Sequence, residues 1–242
     1  LDIYYARTMS QKLGTEHYEY IINAKQFAKQ MPEIISAFDE PFSGAVSTFF
    51  LSILLKKHVK VALSGDGADE LYGSYLSHRL AFPIENYLNI VGMGKKEWQD
   101  FDYEDKELIH PFDTPEQFQF LKRIASKDLS KWRGRLSVFN HTERNQLLTK
   151  EFIHASDSLK IKDIYRDISC QLTANDPLNK SLEVDQKELL PNQVLPFVDR
   201  LSMAHSIEVR VPYLDYRIIE FANRLPGNFK IRDGINKYIH KK

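Results

Sequence analysis

Seven consecutive residues carry the densest chemistry in this sequence: Ser64-Gly65-Asp66-Gly67-Ala68-Asp69-Glu70. They follow the β-branched run Val59-Lys60-Val61-Ala62-Leu63 and lead into helix-forming residues from Ala68 to Tyr75. Where a parallel strand ends and the next helix begins, a crevice opens at which ligands bind. Two glycines let the backbone approach a ligand closely, and the free N–H groups of a first helical turn attract an anion. Ser64 adds a hydroxyl. Asp66, Asp69 and Glu70 suit a bare phosphate badly. They suit a ligand that also presents a magnesium ion or a cationic amine. The same residues also serve a plain strand-to-helix turn, with Asp66 as cap and Asp69 and Glu70 complementing the helix dipole. A short glycine motif does not separate these readings by itself.

Three other segments hold reactive residue types. Asp39-Glu40-Pro41-Phe42 sets two carboxylates before a proline. It reads as a polar edge of the same crevice, or as a solvated turn with Phe42 in the core. Residues 199–215 begin with Asp199-Arg200-Leu201-Ser202-Met203-Ala204-His205, helical by its apolar spacing. An extended run follows, alternating Ile207, Val209 and Val211 with Glu208 and Arg210, and Pro212 keeps Val211 extended. Arg210 and Asp215 read as members of an internal ion-pair network, and His205 as a satisfied structural histidine. Asn236-Lys237-Tyr238 lies in a basic tail, with five Lys/Arg and one Asp over residues 230–242. Composition alone does not single out Lys237 there.

The elements that must position these residues read as an α/β layer continuing into a mainly helical part. Expected are a helix from Tyr4 to Leu13 capped by Asp2 and stopped at Gly14, a strand over Glu16–Ile22, and a helix from Asn23 to about Phe38. A largely buried helix over Ala45–Lys57 and the strand Val59–Leu63 follow. Strand, helix, strand, glycine turn, helix is the parallel α/β order. Later helical patterns run over Leu80–Ile90, Pro115–Ile124, Glu143–Ile153, Leu182–Leu190, Gln193–His205 and Asp215–Leu225. Residues 95–180 are the least legible stretch.

The 242 residues divide into 33 basic and 33 acidic side chains, a formal net charge of zero. That argues against a nucleic-acid partner. The one cysteine excludes a disulfide framework and a Cys-rich zinc site, and Cys170 reads as a buried hydrophobe. No apolar stretch approaches the roughly 18 residues that span a bilayer, so no membrane partner is expected. Charged residues over the first 30 positions exclude a signal peptide, and no initiator Met is present. The chain therefore reads as a piece of a longer cytoplasmic protein.

Order and wording together carry more than each motif alone. Leu13-Gly14-Thr15-Glu16-His17, Asp39-Glu40-Pro41-Phe42, Val61 through Gly73, Asp199 through Asp215, and Lys237-Tyr238 resemble the synthetase domain of glutamine-hydrolysing asparagine synthetases. The resemblance runs through about residues 1–80 and 182–242. It implies an adenine nucleotide α-hydrolase-like fold of the PP-loop ATPase type: a truncated parallel α/β sheet in about 1–80, continuing into a mainly helical bundle in about 81–242. It implies ATP and Mg2+ as cofactors, and aspartate and glutamine-derived ammonia as substrates, giving asparagine, AMP and pyrophosphate. The family's Ser-Gly-Gly-x-Asp-Ser loop and its N-terminal glutamine amidotransferase domain are expected upstream of Leu1, so the chain alone is expected to be inactive. An exposed sheet edge would also invite a homo-oligomer.

For the residues, the resemblance implies catalytic roles for Asp66, facing the amine nucleophile, and Lys237, contacting phosphates and reacting carbonyl. It implies nucleotide contacts at Ser64, Gly65 and Gly67, and a magnesium ligand at Asp69. Glu70, Asp199, Arg200 and Glu208 become acceptor-side residues. Two other readings stay open: an asparagine-synthetase-like amidotransferase acting on a sugar acid, peptide or lactam precursor, and a degenerate binding module without catalysis.

Overall fold

The structure is a computed structural model that describes residues 2–38, 46–137, 139, 141–156 and 161–242, with backbone only at 2, 141, 144 and 161–164. In chain order the elements are α1 (Asp2–Leu13), α2 (Ala24–Ser36), α3 (Ser47–Leu55), β1 (Val61–Leu63), α4 (Ala68–Tyr72) and α5 (Leu76–Gly92). Next come α6 (Tyr103–Leu108), α7 (Pro115–Ile124), α8 (Leu129–Gly134), α9 (His141–Leu147), α10 (Lys150–Ser156), α11 (Ile161–Cys170) and α12 (Pro177–Lys187). The chain closes with α13 (Leu195–Met203), β2 (Glu208–Arg210), α14 (Tyr216–Arg224), α15 (Gly227–Lys230) and α16 (Tyr238–Lys241). Two units divide these elements: residues 1–64 with 193–212, and residues 65–192 with 213–242. The Asp39–Phe42 segment lies outside the described residues.

In the first unit, β1 pairs in parallel with β2, Val61 opposite Glu208 and Leu63 opposite Arg210. These two are the strands of the sheet among the described residues. The extended reading of 207–211 thus becomes a sheet strand. Asn23 caps α2 through a capping box: its side chain accepts from Gln26 N, and the Gln26 side chain accepts from Asn23 N. Gly14, at φ +64°, ends α1 as expected. Ile34, Phe38, Val46, Phe49, Phe50 and Leu201 form the buried core.

Two expectations for this unit fail. The run Glu16–Ile22 is not a strand. Among the described residues it has no backbone partner, and β-branched residues cannot form a ladder alone. It is tied down by side chains instead: Arg7 donates to Glu19 at 2.5 Å, and Tyr20 stacks on Phe50 at 6.1 Å. Helix α3 is also less buried than its all-round apolar pattern predicts. Phe49 and Phe50 face the core, whereas Leu51 is half exposed.

The second unit holds the larger core: Leu80, Ile84, Tyr87, Ile90, Phe101, Ile109, Phe112, Phe118, Leu121, Ile124 and Trp132. Much of it comes from the stretch that was least legible. Short helices of six to ten residues show too few turns for a clear apolar period. The pattern over Glu143–Ile153 breaks into α9 and α10, because Thr149 Oγ1 accepts from Phe152 N and starts a new helix. Cys170 is exposed rather than buried, at the last position of the amphipathic α11. Among the described residues no helix is long and apolar enough to cross a membrane.

Candidate functional site

The acidic glycine turn forms as its residue types require. Gly67 stands at φ +85°, a left-handed conformation that glycine adopts without a Cβ penalty. A Cβ there would also run into the Leu214 side chain. At Gly65 the opposite holds: a Cβ would meet nothing within 4 Å, so the backbone is open to an approaching group. Helix α4 then runs for only five residues. A helix so short sums few peptide dipoles, so the local charge comes from side chains more than from the helix end.

Those side chains are Asp69 and Lys237. Lys237 Nζ lies 2.7 Å from Asp69 Oδ1, and both side chains stay about one third exposed. Ser74 Oγ donates to the same carboxylate oxygen. Partial burial pushes the Asp69 carboxyl up, but the Lys237 ammonium and the Ser74 hydroxyl outweigh it and hold the pKa below the ordinary carboxylate value. Lys237 reaches this place from a tight turn, Arg232 bridging Ile235, and itself stands at φ +51°. Asn236 Nδ2 donates to Ser74 O at 3.4 Å, and the rings of Tyr72 and His240 meet edge to face at 4.1 Å. The late lysine is thus fastened to the glycine turn on both sides.

Glu70, on the same turn, is almost fully buried and accepts from Tyr75 Oη at 2.6 Å. Burial, and then the Glu70 carboxylate, drive the Tyr75 hydroxyl pKa far up, so the phenol stays a donor. Gln186 Nε2 donates to Glu70 O at 3.0 Å. Asp66 is half-buried on the turn.

Ser64, Asp199, Arg200 and Glu208 belong to the first unit. Ser64 N donates to Arg210 O at 2.9 Å, extending the sheet register by one bond. Asp199 is exposed on α13, and the Arg200 guanidinium lies 5.6 Å from the Phe38 ring centre. Glu208 pairs with Arg210 at 2.7 Å. That pair corrects the expected internal network: Arg210 takes its strand neighbour, Asp215 takes Arg217 at 2.7 Å, and both pairs face solvent. The Arg217 guanidinium holds the Asp215 carboxyl down at about 2. His205 is buried, but its Nε2 has no hydrogen-bond partner among the described residues. It packs edge-on against Phe49 at 4.5 Å, and burial keeps its pKa below the ordinary histidine value. It is structural, but not satisfied.

Sequence reasoning missed Ser74, Tyr75, His78, Asp185 and Arg133, the residues beneath the turn. Ser74 and Tyr75 bond residues five positions back in the glycine motif, and His78 bonds Ser74 four positions back, so closeness in sequence alone could have flagged them. Asp185 lies in α12, more than a hundred positions away, where spacing carries no signal.

Among the described residues no cluster of three or more His, Cys, Asp or Glu could hold a metal. Magnesium asks less when a nucleotide brings it: one or two carboxylates, with phosphates and water completing the shell. The single, ionised Asp69, one third exposed beside a lysine, fits that case. Two cavities of about 650 and 620 Å³ open elsewhere on this unit, and neither is lined by Asp69 or Lys237.

The chain is 28% identical to asparagine synthetase [glutamine-hydrolyzing] 1 of Bacillus subtilis, over 98% of the chain and 36% of that protein. It is 27% identical to a putative asparagine synthetase [glutamine-hydrolyzing] of Mycobacterium bovis, over 95% of the chain and 34% of that protein. With asparagine synthetase [glutamine-hydrolyzing] 3 of Bacillus subtilis it shares 23% identity, over 97% and 32%. The chain thus spans about a third of the length of these curated relatives. No solved structure matches it. The Asparagine synthase family model matches residues 1–242 throughout, so the chain belongs to the asparagine synthase family.

Proposed function

We propose that this chain is the nucleotide-handling part of a ligase that makes asparagine from aspartate, on a fold of the PP-loop ATPase type. The observation that carries the reading is the 2.7 Å pair of Asp69 and Lys237, in a chain of this family. A carboxylate suited to a divalent ion stands beside an ammonium suited to phosphate, and adenylation needs both kinds of group. In the proposed reaction the aspartate side-chain carboxylate oxygen attacks the α-phosphorus of ATP. The bond to the bridging oxygen breaks, and pyrophosphate leaves. Ammonia then attacks the acyl carbon and loses a proton as the bond to AMP breaks. The ammonia would come from glutamine, the nitrogen source that the relatives' names give.

The roles divide by chemistry. Lys237 neutralises charge on the phosphates and the reacting carbonyl. Asp66 accepts the ammonia proton or orients its donor. Gly65 offers unobstructed backbone to the nucleotide, and Gly67 makes the turn that brings it there. Asp69 would hold the magnesium ion, which would supply charge neutralisation to the phosphates. Ser64 is assigned to the nucleotide, and Glu70, Asp199, Arg200 and Glu208 to the acceptor side, by family resemblance. One synthetase domain, with an α/β part in about 1–80 and a mainly helical part in about 81–242, is kept as a proposal, with the partner strand of β1 among the described residues, Glu208–Arg210, contributed from the later stretch. The sequence contains no Ser-Gly-Gly-x-Asp-Ser segment, and the 242-residue chain by itself is expected to release no pyrophosphate from ATP.

Product analysis tests the reading. The full-length protein, given aspartate, glutamine, ATP and magnesium, should yield asparagine, AMP and pyrophosphate in equal amounts. Lys237→Met should lower the rate by about 100-fold or more, the scale of losing one transition-state charge contact. Amidation of another carboxylate with no asparagine would move the enzyme to the sister activity. No binding of ATP would leave only a binding module.

A further inference from the structure

Ser74 is the hub of the Asp69–Lys237 site. Its hydroxyl donates to Asp69, its carbonyl accepts from Asn236, the neighbour of Lys237, and its backbone N–H donates to His78 Nδ1 at 3.1 Å. A backbone N–H can only donate, so Nδ1 carries a lone pair and the ring proton sits on Nε2. Nε2–H in turn donates to Asp185 Oδ2 at 2.7 Å. The other Asp185 oxygen is taken by Arg133, whose guanidinium also donates to Ser181 Oγ at 2.9 Å. His78, Asp185 and Ser181 are each at most 1% exposed. The chain of bonds therefore leaves the site and anchors in α12 and α8, inside the second unit. Every ring nitrogen of His78 is used, and the ring touches neither Asp69 nor Lys237 in any hydrogen bond.

We propose that His78 is a positioning residue for the magnesium–nucleotide site. Held by Asp185, it fixes the Ser74 backbone, and Ser74 aims the Asp69 carboxylate. The proposal rests on the reading of Asp69 and Lys237 given above. A packing role and a positioning role make opposite demands on the two ring nitrogens. A glutamine amide at this position reaches about where Nε2 lies and can still donate to Asp185, but it leaves Ser74 N without its acceptor. An asparagine amide reaches about where Nδ1 lies and can still accept from Ser74 N, but it leaves Asp185 to Arg133 alone.

The test is calorimetric titration of the full-length protein with Mg2+ and AMP-CPP, the ATP analogue whose methylene bridge replaces the α–β oxygen that the proposed reaction breaks, alongside thermal unfolding. For His78→Gln the expected result is an affinity lower by about 10- to 100-fold, as for lost outer-shell partners of a metal ligand, with Tm near wild type. For His78→Asn it is a lowered Tm with affinity near wild type. Equal affinities for the two variants, or the reverse order, overturn the proposal. Asp69→Asn in the same titration separates the two levels. If Asp69→Asn is weakened and His78→Gln is not, only the role of His78 is refuted. If Asp69→Asn binds like wild type, the site reading falls and this proposal with it.

Discussion

A half-exposed ion pair such as Asp69–Lys237 adds only about 0–1 kcal/mol to stability. Lys237→Met should therefore leave the unfolding free energy within that margin while nucleotide affinity collapses, which urea unfolding and calorimetry together would read. Lys230 behaves in the opposite way. It is fully buried, with Nζ donating to Asn179 Oδ1 at 2.7 Å, and burial pulls its pKa down to about 8. Between about pH 8 and pH 10.4 the unfolded chain holds a proton that the folded chain has released, so stability contributed by this group rises with pH across that window. The rise amounts to about 3 kcal/mol, and below pH 8 the burial penalty is fully present. Lys230→Met should lose that slope relative to wild type in urea unfolding at pH 7.5 and 10. An unchanged slope would assign the shift elsewhere. Gly67→Ala combines two faults, about 1–2 kcal/mol for the left-handed backbone and about 1–3 kcal/mol for crowding Leu214. A lower urea midpoint with an unchanged m-value would confirm it.

At the scale of elements, capping and turn chemistry were legible and pairing was not. Asn23 and Gly14 do what their residue types dictate locally, so α2 and the end of α1 could be read from the chain; two expected caps fail, because α1 already includes Asp2 and the cap position of α4 is Gly67 rather than Asp66. Asn23→Ala should cost about 1 kcal/mol of stability through the lost capping box, measurable in the same urea series. Glu16–Ile22 failed because a strand is a relation between two segments, and its composition describes one. The charge pairs of residues 199–215 failed for a related reason. An extended or capped backbone places Glu208 beside Arg210 and Asp215 beside Arg217, nearer than any distant partner. At the candidate site, Asp69 and Lys237 were named through the family resemblance, and the structure brings their side chains together. The buried support of His78, Asp185 and Arg133 was not, because it joins three elements far apart in sequence.

For the whole molecule, balanced charge is the governing property. Net charge is zero, the sequence pI is about 7.3, and the basic residues of 230–242 include the buried Lys230 and the paired Lys237. The chain should pass an immobilised polyanion such as heparin without retention at physiological salt, and its solubility minimum should fall near pH 7. Retention beyond about 0.3 M salt would contradict the exclusion of nucleic acid. The account as a whole stands on the Asp69–Lys237 pair as the seat of the nucleotide. A structure of the full-length protein with Mg2+ and the α,β-methylene analogue AMP-CPP measures that directly. Expected is the ion within about 2.1 Å of an Asp69 oxygen, with Lys237 Nζ on a phosphate oxygen. Nucleotide bound elsewhere, with Asp69 and Lys237 still holding each other, would contradict it.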